Sequence, residues 1–304
     1  METFGILRVS EVSTNKVKIC SKNSGIFLSA MNVSPQLYKF PPDLQLEYML
    51  YGVGKKFLIC FHGFGQDHSV FEGLTPELPD YQIISINLLF HGKSDRNHAP
   101  KYLRHSEWKN ILKGLLDELG IQRFSVLGYS MGGRYLASTL LSFRECIEHC
   151  IFIAPDGIVK RMSYEFATFS LGPQQLFRYF MNNPRPFFFF LNIIERTRLM
   201  NPWTIKFSRS QLKDPKQRYM VLRSWITLKK LRVRQNKLVA IINEVKFSTT
   251  FIFGKYDLII APKRHFKFLN KLQNTKVIIL DTGHSNLVNE SIPKISQQLN
   301  RIER

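Results

Sequence analysis

The chain has 304 residues, 44% of them apolar, and carries 43 Lys and Arg against 23 Asp and Glu, a formal charge of +20. That length admits one large domain or a core with an inserted subdomain, and the composition excludes a disordered or low-complexity chain. The longest apolar run, residues 187–194, is far short of the roughly 20 residues that cross a bilayer, and the first residues carry neither a basic leader nor an apolar stretch, so the expectation is a cytoplasmic protein.

Residues 1–40 show no clear period and are read as an N-terminal extension without an assigned role. Leu44, Leu46, Tyr48 and Leu50 then alternate with Gln45, Glu47 and Met49, the pattern of a half-buried strand. Gly52-Val53-Gly54 is read as the turn of a hairpin leading into the buried strand Lys56 to Phe61. Ile83 to Ile86 is the next strand, and Trp108, Ile111, Leu112, Leu115, Leu116 and Leu119 recur at helical spacing over residues 106–119. Ser106 is the expected cap of that helix and Gly120 its expected stop. A strand at 124–127, a helix from Arg134 and a strand at 151–154 follow. This strand and helix alternation implies an α/β fold with a largely parallel sheet.

Between residues 157 and 245 the alternation stops, and Pro184, Pro186, Pro202 and Pro215 divide a helical, aromatic and basic stretch into short pieces. It reads as an inserted helical lid. The core is accordingly split into residues 1–156 and 246–304, the second part holding strands at 249–253 and 277–280 and a closing helix around 292–302.

The chemistry concentrates at four strand ends. Gly128-Tyr129-Ser130-Met131-Gly132 lies between a strand and a helix, where glycines permit a tight turn that exposes the serine. A serine hydroxyl is a weak nucleophile and needs a base, a group that orients the base, and donors for the oxyanion. His284, in the loop after the last strand, is the candidate base, and Asp257, just beyond the strand at 249–253, is the candidate orienter. The backbone amides of Phe64, in His62-Gly63-Phe64-Gly65, and of Met131 are the candidate oxyanion hole.

With these stretches in view, the chain resembles the α/β-hydrolase superfamily from about Leu44 to the C-terminus. The resemblance rests on His62 to Gly65, Gly128 to Gly133, Gly254-Lys255-Tyr256-Asp257 and Gly283-His284, in the order serine, acid, histidine. It implies a mostly parallel eight-stranded sheet flanked by helices, a helical lid over Ser130, and serine hydrolase activity of the carboxylesterase or lipase-like kind. Asn87-Leu88-Leu89-Phe90-His91-Gly92-Lys93-Ser94 departs from the superfamily pattern, in which Asp, Arg and Gly are common.

Other readings stand beside these. Asp156, also at a strand end, is an alternative orienter of His284 or a cap at the start of the lid, while His62 and His91 are expected to make structural hydrogen bonds and Asp281 to be a loop residue. Phe166, Phe169, the run Phe187 to Phe190, Trp203 and Trp225 are expected mostly to form the lid's own core, with lining of an acyl pocket as the alternative. Cys20, Cys60, Cys146 and Cys150 are read as reduced thiols, and no His, Cys and acid spacing makes a metal site. Residues 196–237 hold 13 Lys or Arg against one acid, Asp214. The ordinary reading is a solvated face; the alternatives are an anionic substrate or peripheral membrane contact, with Arg232, Arg234 and Lys237 as its carriers. No nucleic-acid motif accompanies the charge.

The expected activity is cleavage of an ester, thioester or related acyl bond in a small-molecule acyl substrate, without a cofactor. Carbon–carbon bond hydrolysis by the same three residues, or ligand binding without turnover, are the alternatives.

Overall fold

A computed structural model of the chain describes residues 34–94, 97–160, 164–165, 168, 171–197 and 202–300, and a few side chains within 171–211 are also outside the description. Most of the 1–40 extension, Cys20, Phe166, Phe169 and the side chain of Trp203 therefore lie outside the described residues.

Among the described residues there are eight strands: β1 (Gln36–Phe40), β2 (Leu44–Tyr51), β3 (Lys56–Phe61), β4 (Tyr81–Ile86), β5 (Phe124–Tyr129), β6 (Ile147–Ile153), β7 (Thr249–Gly254) and β8 (Thr275–Leu280). They form one sheet in the order β1-β2-β4-β3-β5-β6-β7-β8. β1 and β2, and β2 and β4, pair antiparallel, and every pairing from β4 to β8 is parallel. The expected α/β fold with a mostly parallel eight-stranded sheet is the observed one. Its central strands are covered on both sides: every residue of β5 and of β7 is buried. That is why they read as continuous apolar runs rather than as alternating ones.

The expected hairpin at Gly52-Val53-Gly54 is not formed. β2 pairs with β4, Tyr48 opposite Ile86, and β3 lies on the far side of β4. The reason is the parallel register of the centre: β3 already has β4 and β5 as neighbours, which leaves β2 the outer edge of β4. The chain after the turn is instead fixed where the Lys56 amide donates to the Asp80 carbonyl at 3.0 Å. The hairpin of this region is the one between β1 and β2, so the last residues of the 1–40 extension form an edge strand. Glu47 also departs from the alternation. It is buried together with Leu46 and Tyr48, for a reason that lies in the site.

The described helices of eight or more residues are α1 (His105–Glu118), α2 (Gly132–Phe143), α3 (Leu171–Asn182), α4 (Pro184–Arg196), α5 (Pro202–Lys213), α6 (Pro215–Thr227) and α7 (Gln235–Glu244); after the four-residue α8 (Phe266–Leu269) comes α9 (Leu287–Leu299). α1 buries Trp108, Ile111, Leu112, Leu115 and Leu116, as its spacing requires. Its start is one residue earlier than expected: Ser106 is inside the helix, and Glu107 accepts from the Arg104 amide instead. Gly120, at φ +67°, stops it as expected. α9 begins at Leu287, five residues before the expected start, so its first turn directly follows the His284 loop.

α3 to α7 occupy the span between β6 and β7. Pro184, Pro202 and Pro215 each start a helix, where a missing amide proton leaves no bond unmade. Asp214, the lone acid of the basic stretch, caps α6 by accepting from the amides of Lys216 and Gln217. Met181, Leu212 and Val221 centre a small apolar cluster among α3, α5 and α6, whereas Leu238, Ile241 and Ile242 of α7 belong to the main core. The C-terminal end of the 157–245 segment is thus built into the core layer.

Candidate active site

Ser130 sits between β5 and α2 at φ +50°, a left-handed conformation that disfavours a side chain. Three backbone bonds hold it there: its amide donates to Ile153 at 2.9 Å, and its carbonyl accepts from Gly133 at 2.9 Å and Asp156 at 2.8 Å. The glycines of the pentapeptide permit close approach. A Cβ on Gly128 would lie 2.8 Å from the Gly132 carbonyl oxygen, and one on Gly132 would lie 2.0 Å from that of Phe61. The turn can therefore be built only where strand and helix lack side chains.

The three sequence-selected side chains converge. His284 Nε2 is 3.1 Å from Ser130 Oγ, and His284 Nδ1 is 2.6 Å from Asp257 Oδ2. Asp257 Oδ1 is occupied separately, accepting from the amides of Ile259 at 2.8 Å and Ile260 at 2.7 Å. With one oxygen tied to the backbone and the residue 2% exposed, the carboxylate has a fixed orientation towards the imidazole. That arrangement places the proton on Nδ1 and leaves Nε2 facing the serine as an acceptor.

Asp156, the alternative orienter, is engaged elsewhere. Its carboxylate accepts from Arg134 Nε at 2.7 Å, and the Arg134 guanidinium lies 4.1 Å from the centre of the Tyr164 ring. This ion pair ties α2 to the start of the helical insertion. Asp281 is a loop residue at the end of β8, paired with Lys255.

The Phe64 loop is held by two histidines. Leu88 N–H donates to His62 Nε2 at 3.0 Å, and His62 Nδ1 is 2.7 Å from the Gly63 carbonyl. Gly65 N–H donates to His91 Nε2 at 3.0 Å, and His91 Nδ1 is 3.0 Å from the Leu89 carbonyl. Each ring therefore has one accepting and one donating nitrogen and is neutral. Burial, with His91 nearby, pushes the His62 pKa down to about 3. The amides of Phe64 and Met131 donate to no protein acceptor among the described residues, and both residues line the cavity beside Ser130.

Two supports of the site were not selected from the sequence. Glu47 and Asn87 form a buried network: Glu47 Oε2 accepts from Asn87 Nδ2 and from the Lys93 amide, each at 2.6 Å. Asn87 Oδ1 accepts from the His68 amide at 2.6 Å, and the Asn87 carbonyl accepts from Ser94 Oγ at 2.5 Å. This network fixes the unusual 87–94 loop, which carries His91, and its signal was the asparagine that breaks the superfamily pattern. Tyr129 is the second. Its hydroxyl donates to the His284 carbonyl at 2.6 Å, and burial together with the Asp257 charge raises its pKa above the ordinary tyrosine value.

Above Ser130 and His284 lies a cavity of about 560 Å³, within the range of small-ligand pockets. Its floor comes from the strand ends and its roof from the helical insertion, with Phe177, Met181, Phe187, Leu212 and Trp225 among the lining. The expectation that the aromatic residues of the insertion mostly form its own core, with pocket lining as the alternative, is met on both sides. Phe187 and Trp225 both pack on the small cluster and face the cavity, Phe188 packs on the cluster, and Phe189 and Phe190 are exposed. The basic stretch is likewise divided. Arg218 donates to the carbonyls of Met181, Leu212 and Lys213, and Arg232 pairs with Glu165, so these cations are structural. Cys60 and Cys150 are buried thiols and Cys146 is half-buried, all unbridged. Among the described residues no cluster of His, Cys, Asp or Glu is arranged for a metal ion, and no helix is long and apolar enough to cross a membrane.

Similarity to known proteins agrees with this architecture. An uncharacterized protein of Mycobacterium tuberculosis is 26% identical over 149 residues, 46% of this chain and 43% of that one. A pimeloyl-[acyl-carrier protein] methyl ester esterase of Legionella pneumophila is 35% identical over 96 residues, 31% of this chain and 35% of that enzyme. The chain thus spans less than half the length of the curated relatives it matches. A hydrolase from Pseudomonas aeruginosa PA01, 17% identical, superposes with a TM-score of 0.62 over 89% of this chain and 100% of that one, a likeness of fold. The alpha/beta hydrolase fold family model matches residues 56–291, and the chain belongs to that family.

Proposed function

We propose that the protein is a serine hydrolase that cleaves an ester or thioester through an acyl-enzyme on Ser130. The observation that carries this reading is the hydrogen-bonded line from Ser130 through His284 to Asp257 on the floor of a largely apolar cavity. The similarity to a methyl ester esterase supports the same bond type.

In the first half of the reaction Ser130 Oγ attacks the acyl carbon while its proton passes to His284 Nε2. The carbonyl π electrons move onto oxygen, where the amides of Phe64 and Met131 receive the charge. Collapse of the tetrahedral species expels the alcohol or thiol, which takes the proton from His284. Water then repeats the sequence on the acyl-enzyme and releases the acid. Asp257 keeps the imidazole in the required tautomer and offsets its transient positive charge. The apolar roof, with Phe177, Phe187 and Trp225, accommodates the acyl chain, which makes the helical insertion a lid in function.

The test is hydrolysis of p-nitrophenyl esters from acetate to palmitate by the wild type and by Ser130→Ala. Turnover that disappears in the variant, with a chain-length optimum set by the cavity, is expected. Failure of the folded wild type both to turn over any ester and to react with a fluorophosphonate probe would leave ligand binding as the better account.

A further inference from the structure

α4 exposes apolar residues on its outer side, interspersed with Arg185, Asn192 and Arg196. Phe187 faces the cavity and packs with Phe188 on the small cluster, and Leu191 is buried, while Phe189 (62% exposed), Phe190 (52%) and Ile193 (42%) lie on the outer side. Exposed aromatic and aliphatic side chains beside arginines are the pattern of a helix seated at a membrane boundary. α3, which packs against it, adds Leu176 and Tyr179, both exposed, so the apolar surface spans two helices.

The charge around this surface has one sign. Arg185 and Arg196 fall on the same stripe as Phe189, at i−4 and i+7, and both are exposed. Arg178 is exposed on α3. Among the described residues none of the three is ion-paired. The only acid of α3 and α4, Glu195, is neutralised by Arg209 at 2.6 Å. Aromatic side chains rimmed by arginines match a bilayer boundary, where rings enter the headgroup region and the cations meet anionic lipid. A second copy of the chain is a poor occupant, since two molecules of formal charge +20 repel one another.

We infer that the exposed α3–α4 face docks on an anionic lipid bilayer, with Phe189, Phe190 and Ile193 entering the headgroup region and Arg185 and Arg196 contacting acidic headgroups. The surface carried by this docking differs from the 232–237 segment, whose Arg232 is held by Glu165. It is also continuous with the cavity: the ring of Phe190 lies 6.1 Å from that of Phe180, which lies 5.7 Å from that of Phe187. A row of packed rings thus joins the docked face to the cavity wall at Phe187. That Ser130 acts on an amphiphile drawn from the bilayer rests on the hydrolase reading; the docking itself does not.

The test is flotation of the full-length protein with phosphatidylcholine vesicles prepared with and without phosphatidylserine. The wild type should float with the anionic vesicles, less so as salt is raised, and little with phosphatidylcholine alone. The double changes Phe189→Ser with Phe190→Ser, and Arg185→Glu with Arg196→Glu, should each lower partitioning by about tenfold or more. Both should keep wild-type circular dichroism and wild-type turnover of a soluble short-chain ester, and Ser130→Ala should float as the wild type does. The inference is overturned if the wild type floats with neither vesicle, or if both double variants partition like the wild type. It is overturned equally if sedimentation velocity finds a dimer that Phe189→Ser with Phe190→Ser dissociates, which would make a second copy the occupant.

Discussion

Tyr129 is hydrogen-bonded through its hydroxyl to the backbone carbonyl of His284, at 2.6 Å, with the two rings 5.1 Å apart. The residue before the proposed nucleophile therefore anchors the loop that carries the proposed base. Tyr129→Phe keeps the ring contact and removes only the hydroxyl. The expected result is a loss of about 1 kcal/mol of stability, with kcat on a soluble ester falling about tenfold and KM little changed, because a base out of place affects the transition state more than binding. Kinetics beside urea unfolding will check this, and unchanged kcat would mean the anchor is structural only.

Asp257 offers a sharper separation of geometry from electronics. Its Oδ1 is held by two amides and its Oδ2 meets His284 Nδ1. In Asp257→Asn the side-chain oxygen is expected to stay on the Ile259 and Ile260 amides, which turns the NH₂ group towards Nδ1 and forces the proton of the imidazole onto Nε2. A histidine protonated there cannot accept from Ser130. kcat should drop by about 10⁴ with the fold intact, as read by ester kinetics and near-UV circular dichroism; retention of more than a tenth of the activity would remove Asp257 from the role given to it.

Gly132 lies too close to β3 for any side chain. The Cβ of Gly132→Ala would sit 2.0 Å from the Phe61 carbonyl oxygen, which belongs to a central strand and cannot retreat. Overpacking of this kind costs about 1–3 kcal/mol and more where backbone is struck. Thermal unfolding should therefore show a marked loss of Tm with activity falling in parallel, since the same displacement moves Ser130. A variant as stable as the wild type would contradict the close approach of α2 to β3.

How much of this was legible in the residues follows from how local each signal is. Ser130, Asp257 and His284 were legible because each sits just past an apolar strand, and in a parallel sheet those ends gather on one edge. The Gly52 to Gly54 turn misled because the same glycine chemistry serves a hairpin and a step to a non-adjacent strand; only the pairing of β2 with β4 decides between them. Glu47 was invisible as a buried group, since its partners Asn87 and Lys93 lie 40 and 46 residues away. The exposed face of α4 was hidden by its composition: four consecutive phenylalanines read as core, yet successive residues of a helix are 100° apart and cannot all point inward.

His62 makes the stability of the site depend on pH with a sign that its hydrogen bonds fix. Its Nε2 accepts from Leu88 N–H, so a proton can be added there only by breaking that bond in a buried place. The folded protein holds the ring at a pKa of about 3, against about 6.5 when the chain is unfolded. Between those values the unfolded state binds a proton that the folded state does not. Stability contributed by neutral His62 is therefore complete above about pH 6.5 and falls by about 1.4 kcal/mol for each pH unit below it, until the folded pKa is reached. Urea unfolding at about pH 7.5 and about pH 5.5 should differ by about 1.4 kcal/mol from this residue. His105 and His265, whose pKa values burial also lowers, act in the same direction. His62→Gln, which keeps an acceptor for Leu88, is expected to be less stable at both pH values and to lack the His62 share of the difference. Because the remaining histidines and carboxylates are common to both proteins, the contrast between variant and wild type isolates this one ring. An identical pH difference in the two would show that His62 is not held neutral, and with it that the Phe64 loop is supported by something other than the two histidines.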